Sequence, residues 1–120
     1  MIDIVFKICS MPQDFKAAGN KSMVQLLKES GYQRSKGLVT KDEIIRTLRA
    51  NRGFIKDWEM YSDDKRTGRG WYFMHDGPHW VVGYFNGHSK EKERRFACGE
   101  EASSVLITHE IEELSRFAGN

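Results

Sequence analysis

A chain of 120 residues with 39% hydrophobic and 30% charged residues has the make-up of one soluble folded domain, residues 1–120, with a single core. That balance excludes a disordered chain, and no apolar run approaches the ~20 residues of a membrane-spanning helix. The net charge of +2 is not that of a typical nucleic-acid binder.

The charge is unevenly spread. Residues 1–99 carry 18 Lys and Arg against 12 Asp and Glu, whereas residues 100–120 carry Arg116 against Glu100, Glu101, Glu110, Glu112 and Glu113. An acidic last segment on a mildly basic body is either a solvated helix face or a surface for a basic partner. The first residues, MIDIVFKICSMP, lack a basic leader region, so a cytoplasmic location is expected. Cys9 and Cys98 have no metal-type spacing and read as reduced thiols, with a bridge between them the lesser alternative.

In chain order, residues 2–9 fit either a strand or a short helix. Pro12 and Asp14 suit a helix start, and Gly19-Asn20 a break. Met23, Val24, Leu26 and Leu27 form a helical apolar stripe, with Gly31 where a terminating glycine belongs. Residues 32–39 read as a loop. Thr40-Lys41-Asp42-Glu43 matches a capping box, so a helix follows, with Ile44, Ile45 and Leu48 on its buried face. Phe54, Ile55, Trp58 and Tyr61 keep helical spacing, which makes residues 40–62 a helical hairpin.

Beyond Gly68 the period changes to two. Trp71, Phe73 and His75 face one side of a strand, and Tyr72 and Met74 the other. Asp76-Gly77-Pro78 is turn chemistry, residues 80–85 alternate again, and Asn86-Gly87 is a hairpin signal. The polar stretch HSKEKER implies a loop longer than two residues, with a third strand at about Arg95–Cys98. A C-terminal helix starts near Glu100 or Thr108, with Ile107, Ile111, Leu114 and Ala118 on one stripe. The expected fold is α+β: N-terminal helices, an antiparallel meander of about three strands, and a C-terminal helix covering one face.

Four constellations carry polar chemistry. His75-Asp76-Gly77-Pro78-His79 places two imidazoles and a carboxylate around a tight turn, the donor types of a zinc or acid–base site, although a closed structural site needs four ligands. Two half-exposed hairpin histidines are the simpler reading. His109 with Glu110, Glu112 and Glu113 lacks the spacing of a metalloprotease helix and reads as a solvated face. Asp63 and Asp64, followed by Lys65, Arg66 and Arg69, resemble a metal-and-phosphate clamp, yet adjacent aspartates diverge and suit a helix end better. Arg46, Arg49, Arg52 and Lys56 near Trp58 and Tyr61 could grip single-stranded nucleic acid, but the aromatics sit at core spacing. No nucleophile elbow or phosphate loop is present, so no catalytic residue, metal or cofactor is assigned and a non-enzyme is expected.

The segments DWEMYSDDKRTGRGWYF and HWVVGYF, within residues 40–86, give the chain a resemblance to small immunity proteins of bacterial toxin–immunity systems, above all those of contact-dependent growth inhibition. The resemblance implies a cytoplasmic protein that binds the C-terminal domain of its cognate toxin and blocks the active site or substrate access. Interfaces in such families are individual, so it assigns no residue. The chain is less acidic than many immunity proteins that neutralise nucleases, which makes the acidic 100–113 segment the expected contact for a basic toxin.

The expected partner-binding residues are therefore Glu100, Glu101, Glu110, Glu112 and Glu113, with Asp63, Asp64, His75, Asp76 and His79 around the two turns. A small nucleic-acid-binding module is the alternative, and behind it a metal-dependent hydrolase built on His75, Asp76 and His79.

Overall fold

Six helices and a three-stranded sheet follow one another in the computed structural model, which describes residues 2–65 and 70–117. Residues 1, 66–69 and 118–120, with the side chains of Ile2, Asp3, Leu38, Asp63, Asp64, Lys65 and Phe117, lie outside the described set. The clamp expected at 63–69 and the stripe position Ala118 therefore fall there.

The ambiguous N-terminus is helical: α1 spans Ile2–Cys9 and buries Val5, Ile8 and Cys9. Ser10 turns the chain into α2 (Met11–Ala18), its hydroxyl engaging Lys7 O and Asp14 Oδ2, with Pro12 in the first turn where a missing N–H costs nothing. Helix α3 (Met23–Ser30) starts on Ser22, whose hydroxyl accepts from the Gln25 N–H, and stops at Gly31 with φ +89°. The expected loop holds two 3-10 turns, Tyr32–Arg34 and Lys36–Leu38. Thr40 caps α4 (Lys41–Ala50) by accepting from the Glu43 N–H, as the capping box requires. A short link leads to α5 (Gly53–Lys65), which packs on the sheet, while α4 lies against α1 and the last helix.

Strands β1 (Gly70–Asp76), β2 (His79–Phe85) and β3 (Lys90–Phe96) form an antiparallel sheet in that order. A two-residue turn at Gly77-Pro78 joins the first pair; Gly77 has φ +62°, open to glycine at little cost. Asn86 folds the second turn, its Oδ1 accepting from the backbone of His88 and Ser89. The loop exceeds two residues, as expected, but β3 begins at Lys90 rather than near Arg95. Residues 90–95 are all exposed on the sheet edge, so nothing forces apolar alternation, and charges there discourage edge-to-edge pairing.

Helix α6 runs Gly99–Phe117, the longer of the two expected forms, and buries Ala102, Leu106, Ile107 and Ile111. Small residues let it approach closely: a Cβ on Gly99 would sit 3.1 Å from the Trp80 indole. At the centre, Trp58 is fully buried and its indole N–H donates to the Cys9 carbonyl at 2.8 Å. Ser62 Oγ accepts from the Phe73 N–H at 2.8 Å, tying α5 to β1. Both cysteines are free; burial pushes the Cys9 thiol up to about 12, which keeps it protonated. No helix among the described residues is long and apolar enough to cross a membrane.

Candidate functional site

The sheet pairs Trp71, near the start of β1, directly with Tyr84, near the end of β2. Direct cross-strand partners share a face, and these two rings meet edge-on with centroids 5.3 Å apart. Their face turns toward α6, where His109 stacks flat on Trp71. Positions 109, 112, 113 and 116 recur on one side of a helix, so Glu112, Glu113 and Arg116 extend from His109 along the same wall. Lys92, at the bulge where the β2–β3 register shifts, closes the opposite rim. Together they enclose a cleft of about 300 Å³ with aromatic walls and both signs of charge at its mouth.

Burial lowers the pKa of His109 from its ordinary value, the Arg94 and Lys92 charges adding to the effect and Glu112 opposing it. The ring is thus held toward its neutral form, able to donate from one nitrogen and accept at the other. One carboxylate oxygen of Glu113 is buried with no hydrogen-bond partner among the described residues. Nearby, the Tyr61 phenol is pushed up by burial and by the negative charges of Glu110 and Glu113.

The five expected glutamates do not share one surface. Glu100 is 6% exposed: it accepts from the Cys98 thiol at 3.0 Å and pairs with Arg52. The thiol bond, helped by the Arg52 and Arg49 charges, holds its carboxyl below the usual range. Glu101 bridges to Lys41 on α4 at 3.3 Å. Glu110 is 2% exposed and faces inward beside Tyr61, so it has almost no area to offer a partner. A helix turns about 100° per residue, so Glu110 points about 160° away from Glu112 and into the core, while Glu112 is exposed and Glu113 lies half-buried between them. Glu112 and Glu113 alone reach the cleft.

The hairpin tip also divides. His75 pairs across with Trp80 and leans over its ring, its Nδ1 3.7 Å from Glu59. Asp76 pairs with His79, on the other face by strand alternation, and its carboxylate binds Arg95. The two histidines therefore do not converge. No group of three His, Cys, Asp or Glu side chains among the described residues is placed to hold a metal ion. Of the basic residues on α4 and its link to α5, Arg46 pairs with Glu43 and Arg52 with Glu100, which offsets part of the charge a phosphate backbone would meet.

Sequence reasoning placed Trp71 on one face of a strand and read His109 as part of a solvated helix face. The polar spacing of His109, Glu112, Glu113 and Arg116 was readable; that an aromatic pair lies opposite depends on strand register. No family model matches the chain, and neither a curated protein nor a solved structure is similar to it.

Proposed function

We propose that this chain is an immunity protein that binds the C-terminal domain of a cognate bacterial toxin and occludes its active site or substrate surface. The observation that carries this reading is the cleft: Trp71, Tyr84, His109 and Arg116 gather where a partner side chain can be enclosed. Trp, Tyr and Arg in a half-enclosed pocket are the residue types that dominate protein–protein binding energy. Glu112 and Glu113 supply local negative charge to steer a basic toxin, while Lys92 and Arg116 set its register. Glu101, bridged to Lys41, and the tip residues Asp76 and His79, at the far end of the hairpin from the Trp71–Tyr84 pair, line no part of the cleft, and they contribute to rate of encounter more than to affinity.

The test is co-purification with a toxin domain encoded beside this gene, together with protection of cells expressing that domain. Stable complex and restored growth support the reading. Failure of the tagged chain to retain the toxin domain, with growth unprotected, refutes it.

A further inference from the structure

We propose that the groove between α2 and α5 is a self-association surface, seating a second copy of this chain about a two-fold axis that runs along the groove. Phe6, Phe15 and Met60 are the exposed large hydrophobics among the described residues, at 42%, 41% and 42%. All three stand on α1, α2 and α5. Phe6 meets Phe54 edge-on at 5.3 Å, and Phe15 meets Tyr61 edge-on at 6.4 Å. Phe54 and Tyr61 are seven residues apart on the largely buried side of α5, so the exposed apolar area is Phe6 beside Phe54 and, two helical turns on, Phe15 and Met60 beside Tyr61. Between α2 and α5, Pro12, Phe15, Met60 and Tyr61 line a groove of about 370 Å³. Exposed large apolar side chains gathered at a groove mark an interaction surface.

Charge selects the occupant. Lys16 stands on the α2 wall and Asp57 on the α5 wall, and neither makes an ion pair among the described residues. A two-fold axis along the groove sets the α2 wall of one copy against the α5 wall of the other. Each Lys16 then meets Asp57 of the second copy, so one rotation pairs two cations with two anions. A partner carrying one sign of charge would leave half of them unmatched. The groove and the cleft share no lining residue, so either surface can be disabled without touching the other.

Sedimentation equilibrium of the full chain, from about 1 µM to about 1 mM, tests this across the span in which a modest interface dissociates. The expected result is a shift from the 13.9 kDa monomer toward twice that mass. Phe15→Glu should weaken the dimer at least about tenfold, and so should Lys16→Asp or Asp57→Lys alone. The double exchange Lys16→Asp/Asp57→Lys should restore it, which no loss of folding can mimic. A monomer throughout the range, a dimer unaffected by Phe15→Glu, or a double exchange no better than the single variants would overturn the proposal.

Discussion

The imidazole of His109 lies flat on the indole of Trp71, ring centroids 3.7 Å apart and planes 3° from parallel. This contact joins α6 to the first strand across the mouth of the cleft. It also takes the imidazole partly out of water, and loss of hydration disfavours the charged form.

Acidification should therefore weaken the fold before ordinary carboxylates titrate. The folded pKa of His109 lies below the unfolded value of 6.5, so the unfolded chain binds more protons in that window. Stability is fully present above 6.5 and is lost as pH falls through the folded pKa. Urea midpoints at pH 7.5 and 5.5 should differ for the wild type, and His109→Gln should shrink that difference. An equal drop in the variant would assign the effect to other groups.

The hydrogen bond from Trp58 to the Cys9 carbonyl makes a second expectation. Trp58→Phe removes the donor and leaves the carbonyl buried without a partner, at a cost of about 1–3 kcal/mol. Trp58→Ala also opens a cavity and should cost about 3–5 kcal/mol. Chemical denaturation monitored by circular dichroism measures both. A Trp58→Phe variant as stable as wild type would show that the bond contributes nothing net.

Much of this frame was legible in local sequence. Thr40 and Glu43, Gly31, and the Gly77-Pro78 turn act through neighbours one to four residues away, so spacing alone reveals them. Residues 2–9 were ambiguous because eight residues rich in apolar side chains satisfy both periods, and packing against α3 and α4 decides for helix. The start of β3 was hidden because an exposed edge strand carries no apolar alternation. The cleft was least legible of all: it needs Trp71 opposite Tyr84, a register set across a turn, and α6 crossing beneath both.

The outer face of the sheet gives a third test. Tyr72 lies over Gly83, and a Cβ there would sit 2.3 Å from its hydroxyl. The absent side chain lets Tyr72 reach Glu93 on β3, donating at 2.7 Å. Gly83→Ala should displace the ring, break that bond and destabilise the fold by about 1–3 kcal/mol. Adding Tyr72→Phe to Gly83→Ala should cost little more, because the bond is already lost. Additive costs in a double-mutant cycle would contradict the coupling.

The proposed toxin recognition through the cleft is tested most directly by calorimetric titration of this chain with a toxin domain encoded beside its gene. The variants are Glu112→Lys and Arg116→Glu, both at exposed positions on α6. Each should retain the wild-type melting temperature and weaken binding at least about tenfold. Wild-type affinity in both variants would remove the cleft from the interface, and no binding by the wild-type chain would remove the immunity reading itself.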